Sequence, residues 1–190
     1  MPTHKHRCKW PGEDALMLAY HDEEWGVPVH NDRLHFEFMV LDAFQAGLSW
    51  KIVLHKRENF REAFDNFNPE KIARYTDSRI NRLLTNEHII RNRQKVNATV
   101  SNAKQFLRLQ KEFGSFDHFI WQFTKGETIV NSRKTSAEIP SKSHESDLMS
   151  RALLHHGFKF VGSTICYAYM QAAGMVNDHL TDCFRYKELK

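Results

Sequence analysis

Four side chains of the sequence can together ligate a metal. Cys8 and His21 lie near one end of the chain with twelve residues between them, and His179 and Cys183 lie near the other end with three between them. The second spacing places two ligands on one face of a helical turn. Two thiolates and two imidazoles complete a tetrahedral zinc set, and four protein ligands leave no position open for water, so such a zinc is structural. It would tie the two ends of the chain together and close a very long loop. The competing reading is coincidence, since a chain with twelve histidines places some beside cysteines by chance. His21-Asp22-Glu23 also matches the His-x-Glu of zinc deaminases, but the Pro-Cys-x-x-Cys partner is absent and that reading is discarded.

A second candidate is Asp42. It interrupts the apolar run Phe36-Glu37-Phe38-Met39-Val40-Leu41, and the run breaks at Gly47 before Leu48-Ser49-Trp50. A carboxylate among apolar residues is costly unless a partner or a ligand uses it. Two readings stand: Asp42 and Trp50 line a pocket, or Asp42 is solvated on an outer face and Trp50 belongs to the core.

The third feature is charge. The net charge is +4, but from Arg79 to Lys111 eight basic residues face a single acid, Glu87. Such a surplus is the footprint of a phosphate-binding face, or a solvated helix surface. The segment from about 78 to 110 reads as helix, short turn (Asn86-Glu87-His88) and basic helix from Ile89, a helix–hairpin–helix pattern with Arg91, Arg93 and Lys95 beside the turn. Hairpins of this kind usually carry glycine for close phosphate approach, and His88 occupies that place.

The elements that must position these groups are helices. Asn31, Ser49, Asn68 (before Pro69), Thr76, and Ser115 or Asp117 are N-cap residues in sequence, and a further helix starts at Ser146-Asp147 and stops at Gly157. The stretch from Ser163 to Ala173 reads as a buried helix, and Gly126 to Ile139 as an irregular connection. No sustained alternation, repeat or low-complexity tract is present, so the expected fold class is all-α, in a single domain over 1–190. Apolar residues make up 41% and charged ones 26%, which excludes a disordered chain. No run approaches a membrane span, and the N-terminal stretch lacks the apolar segment of a secretory signal, so a cytoplasmic protein without membrane association is expected. With no coiled coil, a monomer is expected.

Taken together, Arg7-Cys8-Lys9-Trp10, Tyr20-His21-Asp22-Glu23-Glu24-Trp25-Gly26-Val27-Pro28, Gln45-Ala46-Gly47-Leu48-Ser49-Trp50, Lys56-Arg57-Glu58-Asn59-Phe60, Ile89-Ile90-Arg91-Asn92-Arg93, Gly157-Phe158-Lys159-Phe160-Val161-Gly162 and Val176-Asn177-Asp178-His179 make the chain resemble the 3-methyladenine DNA glycosylase I (Tag) family. The resemblance runs over nearly the whole chain. It implies a helix–hairpin–helix glycosylase fold with a structural zinc joining the terminal segments 1–30 and 175–190, and places the ligands on Cys8, His21, His179 and Cys183. It implies a base pocket of Tyr20, Trp50, Trp10 and the carboxylate after Leu41. That carboxylate is Glu in the family and Asp42 here, shorter in reach by about 1.5 Å.

The implied activity is monofunctional excision of 3-methyladenine from double-stranded alkylated DNA in base excision repair. Asp42 would be the catalytic carboxylate, with the nucleotide flipped out of the helix. Leu48, on the loop after Gly47, would wedge into the base stack, or else anchor the loop to the core, and Gly47, Arg91, Arg93 and Lys95 would contact the DNA. The alternative is a zinc-stabilised reader of abasic or alkylated DNA that does not cut the glycosidic bond.

Overall fold

The structure, a computed structural model, describes residues 5–190. Eleven α-helices form among them: α1 (Ala15–Glu23), α2 (Asp32–Gln45), α3 (Trp50–His55), α4 (Arg57–Ala63), α5 (Pro69–Ile72), α6 (Asp77–Thr85), α7 (Arg93–Phe113), α8 (Phe116–Trp121), α9 (His144–His155), α10 (Ser163–Ala172) and α11 (Phe184–Glu188). Local chemistry starts most of them. The side chains of Asp14, Asn31, Ser49, Asn68, Thr76, Asn92, Ser115 and Ser143 each accept a hydrogen bond from a backbone N–H of the first turn. Two starts differ from the sequence expectation. Helix α7 begins at Arg93 rather than Ile89, because Asn92 caps it by accepting from Lys95 N. Helix α9 begins at His144, because Ser143 and Ser146 form a reciprocal capping box three residues ahead of the expected start.

The expected all-α fold is mostly helical but not wholly so. Ile129–Val130 (β1) and Val176–Asn177 (β2) pair in parallel, Ile129 opposite Val176 and Val130 opposite Asn177. Two residues are too few for alternation to register in a sequence. The pairing holds the segment that leads into His179.

Helix α2 is the central element. Every residue from His35 to Phe44 is buried, so the helix has no outer face over that stretch. Around it lie the fully buried rings of Phe60, Phe64, Phe67, Phe106 and Phe116. Phe44 packs edge-on to Phe60 with centroids 4.7 Å apart, and Phe36 does the same to Phe106 at 5.1 Å. The Asp32 carboxylate, at the first turn of α2, accepts from the N–H groups of Phe116 and Asp117 at 2.9 and 2.8 Å, which fixes α2 against the start of α8.

One buried acid of α2 is held by arginines from α4. Glu37 is 1% exposed and accepts from Arg57 Nε at 2.6 Å and from Arg61 Nη2 at 2.6 Å, while Arg57 Nη1 also donates to Glu24 at 2.7 Å. Removing one member of such a buried pair costs about 3–5 kcal/mol, because the other charge is left uncompensated. This network locks α1, α2 and α4 in one arrangement.

Candidate active site and metal cluster

Ten residues after Asp32, the same helix carries Asp42, which is 2% exposed. The outer-face reading of Asp42 is therefore excluded. Asp42 borders a cavity of about 250 Å³ lined by Trp10, Tyr20, Trp25, Gln45, Trp50, Ile139, Ala168 and Gln171. Trp50 stands at the first turn of α3 and Tyr20 at the end of α1, with ring centroids 5.0 Å apart. Trp10 closes the group, 6.2 Å from Tyr20 and 5.1 Å from Trp25, both edge-on. Asp42, Tyr20, Trp50 and Trp10, separated widely in sequence, thus line one cavity.

Its electrostatics are unusual. Asp42 Oδ2, Trp10 Nε1 and Trp50 Nε1 are sealed from solvent and have no hydrogen-bond partner among the described residues. Buried polar atoms are nearly always paired with protein, water or a ligand, so three orphans around one cavity make it the candidate binding site. Burial pushes the Asp42 carboxyl well above the ordinary carboxylate range. It also raises the Tyr20 phenol, with the Asp42 charge adding to the effect. The free site thus favours a neutral Asp42, and a cation placed beside it would restore the charge.

The cavity rim is shaped by the end of α2. Ala46 (φ −47°, ψ 114°) and Gly47 (φ +80°) form a turn closed by Leu48 N donating to Gln45 O at 2.6 Å. The positive φ at the third position is what glycine supplies there. A Cβ on Gly47 would meet nothing within 4 Å, so backbone conformation rather than space requires the glycine. Leu48 stands 39% exposed on this turn. Lys95 is placed differently from the expected DNA contact. It is buried, and its ammonium donates to Phe44 O at 2.8 Å and Ala46 O at 2.6 Å, capping the last carbonyls of α2. Arg91 and Arg93 are exposed, Arg91 near Glu87 at 3.5 Å and Arg93 donating to Asn81 at 3.3 Å. His88 is not among the residues with positive φ, so the turn over 86–92 does not demand glycine there.

The metal-ligand residues also converge. Ligand atoms of Cys8, His21, His179 and Cys183 all lie within 4.8 Å of one another, and all four side chains are buried. Cys183 Sγ is 3.6 Å from His21 Nε2 and 3.5 Å from His179 Nδ1, and Cys8 Sγ is 3.8 Å from His179 Nδ1. A tetrahedral ion with one sulfur and one nitrogen ligand holds them about 3.6 Å apart, so the residues fit a zinc-sized cation. The remote ring nitrogens are committed elsewhere: His21 Nδ1 donates to Asp22 at 2.8 Å, and His179 Nε2 donates to the Trp25 carbonyl at 2.9 Å. Each imidazole thereby presents a lone pair to the cluster. Arg7 in turn grips Asp22. Gly26 allows the close cover over His179, since a Cβ there would stand 3.2 Å from the ring.

Sequence reasoning missed several lining residues. Trp25 and Gln45 lie in stretches that were noted without a role. Ile139 comes from a connection with no periodic signal, and Ala168 and Gln171 come from a helix that reads only as core.

The site is thus a cavity walled by aromatic rings around an unpaired carboxylate, in a mostly helical fold. The methyladenine glycosylase family model matches residues 10–186. DNA-3-methyladenine glycosylase 1 of Escherichia coli is 44% identical over 180 residues, covering 95% of this chain and 96% of that protein. A crystal structure of a 3-methyladenine DNA glycosylase I superposes with TM-score 0.92 at 46% identity, over 94% of this chain and 98% of the other. A structure of the Staphylococcus aureus 3-methyladenine DNA glycosylase I, concerned with 3-methyladenine recognition, gives 0.91 at 33% identity over 94% and 95%. The chain belongs to the methyladenine glycosylase family.

The raised Asp42 carboxyl has a consequence for the free protein. Because its folded-state pKa lies above its unfolded value, the folded chain binds more protons between the two, and stability falls as pH rises through that window. Asp42→Asn should therefore melt at a higher temperature than the native chain at neutral pH, with the difference shrinking on acidification. Equal melting temperatures at both pH values would contradict a buried, unpaired Asp42.

Proposed function

We infer that the protein is a DNA-3-methyladenine glycosylase, which hydrolyses the bond between N3-methylated adenine and deoxyribose in alkylated DNA and leaves an abasic site. The observation that carries this reading is the trio of unpartnered atoms, Asp42 Oδ2, Trp10 Nε1 and Trp50 Nε1, around one aromatic cavity. Methylation at N3 makes the attached adenine cationic. The faces of Tyr20 and Trp50 each favour such a ring by about 0.5–2 kcal/mol. Asp42 accepts a hydrogen bond from the base and regains its charge opposite the cation. Unmodified adenine is neutral and gains little from either contact.

The methylated base is already a good leaving group. The bonding pair of the glycosidic bond leaves with it, so the base departs neutral and the positive charge passes to the sugar. Water attacks that carbon and gives up a proton. None of the residues lining the cavity is a lysine, so the site offers no amine for a covalent sugar intermediate. This supports a monofunctional enzyme. Catalysis rests on holding the base where its departure is stabilised more than its ground state. Release of free 3-methyladenine from methylated DNA, resolved by chromatography, is the direct test. Asp42→Asn should lower it by about 100-fold or more. Undiminished release by the variant would move recognition onto the aromatic faces, and no release by the native chain, with abasic DNA still bound, would leave a non-catalytic reader.

Reaching the base in a duplex requires flipping it out. The exposed Leu48 on its tight turn supports a wedge, since apolar tips inserted between base steps do this in DNA-bending proteins. Arg91 and Arg93, exposed beside the turn between α6 and α7, support phosphate contact there in the manner of a helix–hairpin–helix. Lys95 acts one step removed, by holding the carbonyls from which the wedge turn departs. Leu48→Gly should weaken abasic-DNA binding about tenfold while free-base binding is unchanged; unaltered DNA affinity would retire the wedge.

The buried cysteine–histidine cluster supports a structural zinc held by Cys8, His21, His179 and Cys183. Four protein ligands leave no reactive position, so its contribution is to pin the chain ends beside the cavity, where Trp10 lies two residues from Cys8. The purified protein should contain about one zinc per chain with mixed sulfur and nitrogen ligation by X-ray absorption, and Cys183→Ser should lower both zinc content and melting temperature. A metal-free protein with unchanged melting temperature would refute the site.

A further inference from the structure

Gln171 lines the cavity from α10, and a buried network fixes its orientation. Its Nε2 donates to Asp178 Oδ2 at 2.8 Å. Asp178 is 1% exposed and accepts two further hydrogen bonds, from the Tyr167 hydroxyl at 2.6 Å and from Asn131 Nδ2 at 2.8 Å, with Arg133 Nε 3.9 Å away. An ionised carboxylate only accepts, so the amide nitrogen must be the atom facing it, and a flipped Gln171 would set oxygen against oxygen. The Gln171 Oε1 is thereby left as the free end of the group. It has no partner among the described residues and is not among the atoms sealed from solvent.

We propose that Asp178 locks the Gln171 carboxamide so that Oε1 is offered to the cavity as an acceptor for the exocyclic amine of the base, making Gln171 a specificity-determining residue that favours 6-amino over 6-oxo purines. The inference rests on the base-binding reading of the cavity. A 6-amino group donates to Oε1. A 6-oxo group brings a second acceptor against it, and acceptor facing acceptor leaves two desolvated oxygens unpaired. Asp178 does not touch the base in this scheme. It is a positioning residue, and Tyr167 and Asn131 keep it in place. Asp42 supplies recognition of positive charge, and Gln171 supplies discrimination between bases that carry the same charge.

The test is equilibrium binding of free 3-methyladenine and 3-methylhypoxanthine, read by quenching of tryptophan fluorescence, for the native chain, Gln171→Met and Asp178→Asn. Binding is separate from turnover, so a native chain that binds 3-methyladenine but does not release it from DNA would count against the glycosylase reading alone. In Gln171→Met the preference for the 6-amino base should fall about tenfold, chiefly through weaker 3-methyladenine binding. In Asp178→Asn, which can donate to Oε1 and turn the amide round, the preference should fall at least as far, with zinc content and circular dichroism unchanged. An unaltered preference in Gln171→Met would overturn the proposal. A preference lost in Gln171→Met but intact in a folded Asp178→Asn would overturn the positioning role of Asp178.

Discussion

Asp42 is buried in the last turn of α2, a helix with no outer face from His35 to Phe44, and its Oδ2 has no hydrogen-bond partner among the described residues. Burying a carboxylate without a partner is among the costliest arrangements available to a chain, and the usual response is to hold the proton. The cost is turned to use if the missing partner is the substrate. On that reading, Asp42, held towards its neutral form by burial, would ionise opposite a positive ring, which would tie recognition of the lesion to the one property that methylation at N3 confers. Neighbouring charged groups show the contrast. Glu37, five residues earlier on the same helix, is paired twice by arginines. One buried acid of the helix is thus neutralised by α4, and the other is left without a partner among the described residues.

Much of the remaining structure keeps that arrangement in place. The Glu24–Arg57–Glu37–Arg61 network fixes α2 against α1 and α4, so the Tyr20 face cannot drift from Asp42. Lys95 holds the last carbonyls of α2 and with them the turn that projects Leu48. The cysteine–histidine cluster brings the two ends of the chain together and sets Trp10 against Tyr20 and Trp25. Side chains from α1, α2, α3, α10 and three loops therefore meet at one cavity although no two of these elements could form it alone.

How much of this was legible in the sequence depended on range. Caps at Asn31, Ser49, Asn68, Thr76 and Ser115 are local chemistry, and the helices start where those residues stand. The start of α9 moved from Ser146 to Ser143 because both are plausible caps and only the backbone decides between them, and α7 starts at Asn92 rather than Ile89 because the helical spacing of its apolar residues does not fix where its first turn begins. The cluster of Cys8, His21, His179 and Cys183 was readable as a donor set, but its closure is a long-range fact. Asp42 could be noticed as an anomaly in an apolar run, while its burial required knowing that α2 is surrounded on all sides. Lys95 is the instructive difference. A lysine in a basic stretch reads as a phosphate contact, and nothing local reveals that its ammonium reaches carbonyls about fifty residues earlier. Gln171 gave no signal at all, because its role depends on the side of its amide that Asp178 takes.

Recognition by Asp42 depends on its protonation state, so the most direct measurement is a carbon NMR titration of its side-chain carboxyl, isotopically labelled, in the free protein and with bound 3,9-dimethyladeninium, which keeps the positive charge of the N3-methylated nucleotide. The free protein should show a midpoint well above the ordinary carboxylate range, and the bound cation should draw the carboxyl towards its ionised form. An ordinary midpoint in the free protein, unmoved by the cation, would contradict the claim that a buried, unpaired carboxylate is the element that reads the lesion.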